Sequence, residues 1–244
     1  MTAAWAAVEH SVASELILVV ECDLQIGRAI VGQLTADGYR AELAHTAEHA
    51  RVLARGNAPS LVVIGDLDSS RGALDLLEDI RRPRSADAPW AQDSAVIVVS
   101  ATAQELDLLR AFEAGADDFL ARPARYLELR ARVRAILRRT RNAPESGRAI
   151  RVGPLSIEPS AHSVSLHDQA VHLRPLEFQL LLHLASEPGR VFAKQELLRA
   201  VWGYRSSGCT RTIDSHASRL RRKLDPGGSG RWVINVWGVG YRLI

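Results

Sequence analysis

The sequence has little from which to build covalent or metal-held structure. Its 244 residues contain two cysteines, Cys22 and Cys209. They are too few for a disulfide framework or a four-ligand zinc site. No apolar run approaches the roughly 20 residues of a membrane span. The opening MTAAWAAVEHSVASE carries acidic residues and no lysine or arginine, unlike a secretory signal. The expectation is a cytoplasmic protein with no membrane contact, no metal and no cofactor. Lysine is also missing from most of the chain, since none precedes Lys194.

Apolar residues make up 47% of the chain, ample for buried cores, and the length suits one large or two ordinary domains. Charge is divided unevenly. Residues 1–140 hold 16 arginines against 20 acidic residues, a net −4, whereas residues 141–244 hold 15 basic against 8 acidic residues, a net +7. A positive half favours a nucleic-acid partner for that half.

In the first half, apolar strand-like runs alternate with helical patterns. The runs are Leu16–Val20, Arg40–Ala44, Ser60–Ile64, Ala95–Val99 and Asp118–Leu120. The helical patterns cover 24–37, 46–55, 74–80, 104–114 and 125–139. This alternation predicts an α/β fold, a doubly wound parallel sheet of flavodoxin-like type covered on both faces. Function in such sheets sits at the carboxyl ends of the strands, here Glu21-Cys22-Asp23, Gly65-Asp66, Ser100-Ala101 and Arg122-Pro123. Residues 140–148 read as a polar linker, and residues 1–14 as an N-terminal extension to a domain over 15–139.

Residues 149–244 predict an α+β winged helix-turn-helix. Strand-like pieces at 150–157, 163–166 and 171–173 precede helices over Pro175–Ser186, Ala193–Trp202 and Thr210–Leu224, and a hairpin follows around Trp237-Gly238-Val239-Gly240. In the third helix Ile213, Ala217, Leu220 and Leu224 form an apolar stripe. Arg211, Ser215, Ser218, Arg219 and Arg222 fall opposite, with Arg221 and Lys223 on the flanks. Arginine offers a fork for guanine or phosphate and serine a small adaptable hydrogen bond, which suits a major groove. Thr210 and Thr212, at the helix start, are candidates for phosphate contacts.

These stretches resemble the OmpR/PhoB-type response regulators over nearly the whole chain. LRPLEFQLLLHLASEPGRVFAKQELLRAVWG, TRTIDSHASRLRRKL and GVGYRL resemble the effector domain in order and spacing. LILVVECD, SLVVIGDL, VIVVSA, GADDFLARP and the Arg-rich last helix resemble the receiver. The resemblance implies a transcription regulator, not an enzyme. It implies binding to double-stranded DNA as a homodimer on tandem half-sites, with His216, Trp237 and Tyr241 joining the DNA-facing set. It also implies that the loop Trp202–Cys209 meets RNA polymerase, in the region of its sigma subunit. Receiver pairing is expected through Asp117, Asp118, Glu128, Arg132, Arg134 and Arg139.

The receiver pocket departs from the family pattern. Phosphoryl transfer to Asp needs a carboxylate nucleophile, a carboxylate-held Mg²⁺ and a lysine that neutralises charge. Glu21 keeps the first acidic place, but Cys22 stands where a metal-binding Asp is expected, and a thiol is a poor ligand for a hard cation. Gly65 falls in the phosphoacceptor place, with Asp66 one residue on. Arg122 takes the lysine place, Ser100 the Ser/Thr place and Phe119 that of the switch aromatic. The expectation is regulation independent of Asp phosphorylation. The alternative is conventional phosphorylation at Asp66. A carboxylate beside Cys22 should raise its thiol pKa, so a space-filling role is expected ahead of a redox one.

Overall fold

The computed structural model describes residues 15–69, 71–82, 89–91, 93–101, 105–141, 148–203, 211–227 and 232–244. The chain forms two compact units, Met1–Val133 and Arg134–Ile244.

In the first unit, β1 (Leu16–Val20), β2 (Arg40–Ala44), β3 (Leu61–Ile64), β4 (Ala95–Ser100) and β5 (Asp118–Ala121) form one sheet in the order β2-β1-β3-β4-β5. Every pairing is parallel. Helices α1 (Leu24–Ala36), α2 (Ala47–Gly56), α3 (Gly72–Arg81), α4 (Glu105–Ala114) and α5 (Tyr126–Arg141) follow the strands in turn. All of β1 and β3 is buried, as a sheet covered on both faces requires. On one face Leu18, Val20, Val62, Ile64, Val96 and Val98 pack with Leu76, Leu77 and Phe112.

Local chemistry fixes the turns at the strand ends. The Asp23 carboxylate accepts the N–H groups of Gln25 and Ile26, at 2.8 and 3.1 Å, and starts α1. Thr46 caps α2 by accepting the His49 N–H at 3.1 Å. Trp90 is buried in the core and donates to Asp79 at 3.2 Å.

The second unit takes in the end of α5 and continues with an antiparallel sheet of β6 (Ile150–Val152), β7 (Leu155–Glu158), β8 (Ser163–Leu166) and β9 (Gln169–Ala170). The expected single run over 150–157 is two strands joined by a turn at Gly153-Pro154. The return strand is Gln169–Ala170, not the expected 171–173, because His167 and Asp168 turn the chain at φ 50° and 62°. Helix α6 (Pro175–Ala185), the short β10 (Phe192–Ala193), α7 (Lys194–Leu197, continued in π register over Leu198–Trp202) and α8 (Arg211–Leu224) precede the hairpin β11 (Val233–Val236) and β12 (Gly240–Leu243). The hairpin joins β10 in the order β10-β12-β11. Gly240 permits this: a Cβ there would lie 1.9 Å from the Phe192 carbonyl oxygen.

Candidate functional site: the winged helix and the strand-end pocket

Helix α8 buries more of its circumference than the apolar stripe foretells. Beside Ile213, Ala217, Leu220 and Leu224, a second row of Thr212, His216 and Arg219 is buried, with His216 at 0% and Arg219 at 8% exposure. These residues are spaced i, i+4, i+7 and so share one line along the helix. His216 Nδ1 lies 2.8 Å from the Thr212 carbonyl oxygen, and its ring sits edge-on to Trp202. Arg219 faces Glu177 of α6 at 3.6 Å. The expectation that the side chains of Thr212, His216 and Arg219 lie open to DNA is therefore corrected. Tyr241 is corrected too, being 3% exposed, with its hydroxyl donating to Asp214 at 2.7 Å.

The flanks of α8 are engaged as well. Lys223 donates to Glu177 at 2.6 Å and Arg221 Nε to the Val233 carbonyl at 2.8 Å. The remaining row is Arg211, Ser215, Ser218 and Arg222, again at i, i+4, i+7, i+11. Ser218 and Arg222 are exposed, Arg211 and Ser215 half-buried. Trp237, at the hairpin tip, is 92% exposed. Thr210 and most of the Trp202–Cys209 loop, Cys209 included, lie outside the described residues.

Glu177 is the residue that sequence reasoning missed. It occupies the third position of α6 and folds back to accept the Arg174 N–H at 3.0 Å, a helix-start pattern that the Arg174-Pro175 sequence could have flagged. Burial works against its ionisation. The Lys223 charge and hydrogen bond, the Arg174 N–H and the Arg219 charge outweigh that and hold the carboxyl below its ordinary value. One buried carboxylate thus fixes the rotation of α8 on its support. Asp214 does the same for the wing, receiving both Tyr241 and Lys194.

In the first unit, Glu21, Gly65, Asp66, Ser100 and Arg122 meet at the strand ends. Glu21 is 1% exposed, and one of its carboxylate oxygens pairs with Arg122. The same guanidinium reaches Asp66 at 3.1 Å. Asp66 also receives the Ser100 hydroxyl and the Ala101 N–H, each at 3.4 Å. A Cβ at Gly65 would lie 2.0 Å from Glu21 Oε2 and 3.1 Å from Arg122 Nη2. Cys22 is half-buried. Burial first, then the charges of Glu21 and Asp68, push its thiol pKa up. Phe119 is 5% exposed.

The pairing face is corrected in part. Asp117 is 4% exposed and bound to Arg81 at 2.6 Å, and it also accepts the Val96 N–H at 2.8 Å. Asp118 is fully buried and holds Arg132 at 2.7 Å. Both acids therefore serve the sheet edge of their own chain and are not open to a partner. Arg132 also binds Glu128 at 2.6 Å. Glu128 and Arg134 are exposed, while the Arg139 side chain lies outside the described residues.

A five-stranded parallel α/β unit followed by a winged helix with an Arg/Ser row defines a response-regulator type of transcription factor. The comparisons with known proteins agree. The family model described as "Transcriptional regulatory protein, C terminal" matches residues 168–243. Over 242 residues the chain is 32% identical to the transcriptional regulatory protein SrrA of Staphylococcus aureus (strain NCTC 8325 / PS 47), covering 94% of this chain and 95% of SrrA. The solved structure of a RitR mutant superposes with a TM-score of 0.66 at 24% identity, covering 95% of this chain and 99% of that one, a likeness of fold. The chain belongs to the OmpR/PhoB-type response regulators, with a C-terminal winged-helix DNA-binding domain.

Receivers of this class imply a Mg²⁺ at the strand ends. The residues present do not fit one. Glu21 is already engaged by a guanidinium, position 22 offers a thiol, and Arg122 brings a positive charge into the space a cation would need. Among the described residues no group of three or more His, Cys, Asp or Glu could hold a metal ion, and no helix is long and apolar enough to cross a membrane.

Proposed function

We propose that this regulator works without Asp phosphorylation, its receiver-like unit held in one state by its own side chains. The observation that carries this reading is the chain of ion pairs Glu21–Arg122–Asp66. The donors suited to phosphoryl oxygens are a guanidinium, the Ser100 hydroxyl and the Ala101 N–H. They already face a carboxylate, that of Asp66. Asp66 thus supplies from within the negative charge that a phosphoryl group would bring. Transfer to Asp66 would require withdrawing it from Arg122 and seating a divalent cation beside that guanidinium, against like-charge repulsion.

The output is sequence-specific binding of double-stranded DNA by α8. Arg211, Ser215, Ser218 and Arg222 meet bases and phosphates, and Thr210 meets phosphate at the helix start. The protein acts in the cytoplasm as a homodimer on tandem half-sites. It pairs through the receiver-like unit with Glu128, Arg134 and Arg139 at the contact, and the Trp202–Cys209 loop meets RNA polymerase.

The test is incubation of the full-length protein with Mg²⁺ and acetyl phosphate, or with beryllofluoride. Intact mass and sedimentation are then measured. Neither is expected to change, with the protein already dimeric at micromolar concentration. An adduct mapped to Asp66, or a dimer that forms only with ligand, overturns the reading in favour of conventional phosphorylation.

A further inference from the structure

Val98 and Phe119 belong to the packed core on one face of the first unit's sheet. Val99 and Leu120, the next residue of each strand, point to the opposite face. There they line a cleft of about 630 Å³ between α1 and α5, within the roughly 300–1,000 Å³ of small-molecule sites. Ile26, Ala29 and Ile30 of α1 form one wall, and Tyr126 and Leu129 of α5 the other. The Tyr126 ring is held in place, because its hydroxyl donates to Asp37, at the end of α1, at 2.6 Å. Asp37 also receives Arg130 at 3.0 Å. The two helices are thus tied to each other and the cleft between them is preformed.

Charge in the cleft has one sign. Among its described lining residues the charged ones are Arg122 and Arg125, with no carboxylate. Arg122 is engaged by Glu21 and Asp66. Arg125 is exposed and pairs with no described carboxylate.

We infer that this cleft is a sensing site for a small apolar monocarboxylate, its hydrocarbon body between α1 and α5 and its carboxylate paired with Arg125. The inference rests on the reading above, in which no phosphoryl group switches the unit and DNA binding is the output. The apolar body displaces water from Val99, Leu120 and the α1 wall. The Arg125 guanidinium offers a carboxylate a bidentate fork that a neutral amide cannot match. Arg122 makes occupancy felt at the strand ends. It borders the cleft and also holds Glu21 and Asp66, so a ligand that prefers one placement of Arg122 biases that placement.

The experiment uses the full-length protein, with 2-naphthoate and decanoate as probes, each compared with its uncharged amide. Calorimetry follows binding. Affinity for duplexes that the protein selects from a random-sequence library is measured with and without saturating acid. Binding of 2-naphthoate marks an aromatic ligand class, and binding of decanoate an aliphatic one. The amide is expected to bind roughly 5- to 50-fold more weakly than its acid, a charge-assisted hydrogen bond discounted for solvent. Arg125→Ala should abolish that preference, and Ala29→Phe, which fills the cleft, should weaken the acid. Thermal unfolding shows that both variants fold. Bound acid is expected to shift duplex affinity by roughly 5-fold or more in wild type and to leave it constant in Arg125→Ala. No binding of either acid at millimolar concentration, equal binding of acid and amide, or an acid preference that survives Arg125→Ala overturns the inference. Duplex affinity unchanged by bound acid overturns it too. An adduct mapped to Asp66 after acetyl phosphate overturns the phosphorylation-free reading instead, and a protein that selects no duplex overturns the DNA-binding one. Calorimetry tells both of these from a failure of the cleft itself.

Discussion

A Cβ atom at Gly65 would lie 2.0 Å from Oε2 of Glu21. The strand end is thus shaped around a glycine, and the space of the missing side chain holds a buried carboxylate with its guanidinium partner. An Asp placed at position 65 is expected to gain no phosphoryl group from acetyl phosphate, as read by intact mass. Gly65→Asp should destabilise the first unit by about 1–3 kcal/mol through overpacking. Glu21→Gly should recover much of the loss if the clash is the cause, as read by a double-mutant cycle in urea.

Arg122 spans Glu21 and Asp66 with one guanidinium. Arg122→Ala strands a carboxylate that is 1% exposed, and a loss of about 3–5 kcal/mol is expected. Adding Glu21→Gln removes the stranded charge and should return part of the stability. Equal stability of Arg122→Ala and wild type in urea would show that the ion-pair chain does not hold the pocket.

On α8, two arginines three residues apart should separate binding from folding. Arg222→Ala should leave thermal stability unchanged and weaken DNA binding, by about 1–3 kcal/mol if it reads a base. Arg219→Ala should lower stability instead, because its partner Glu177 is buried. The reverse pattern would place the reading face on the other row.

Glu177 should make the second unit acid-sensitive. Its carboxyl titrates below its ordinary 4.5 in the folded state. The stability it contributes is full above the unfolded value and is lost as pH falls through the folded one. Glu177→Gln should cost about 1–3 kcal/mol at pH 7, and the gap from wild type should narrow as pH falls below the ordinary 4.5. Urea unfolding from pH 3 to 7 checks this, and a gap independent of pH would remove the ionised carboxylate from the account.

Cys22 should react slowly. A thiol pKa raised by burial and by Glu21 leaves less thiolate at neutral pH than an ordinary cysteine has. In a Cys209→Ser background, iodoacetamide labelling of Cys22 at pH 7.5 is expected to be slower than that of free cysteine. Faster labelling would make it a reactive site.

Much of this was legible in the residues themselves. Strand runs such as LVVI and AVIVV can satisfy their apolar side chains only inside a covered sheet, so the α/β fold followed from composition and order. The departures at Cys22, Gly65 and Arg122 are single-residue identities, readable without coordinates. On α8 helical periodicity gave the face of Arg211, Ser215, Ser218 and Arg222, but it counted Arg219 there too.

Partnership across the fold was not legible. Periodicity gives the angle at which Arg219 leaves its helix but not that a carboxylate from α6 waits there. His216 and Thr212 look polar, yet both are buried, His216 with its ring edge-on to Trp202. Asp117 and Asp118 read as a charged surface, yet Arg81 and Arg132, distant in sequence, draw both inside. The sequence alone determined which elements form and which residue types stand at the strand ends. The tertiary structure decided which charged side chains remain open to a partner, because an ion pair depends on where two segments meet and not on the period of either.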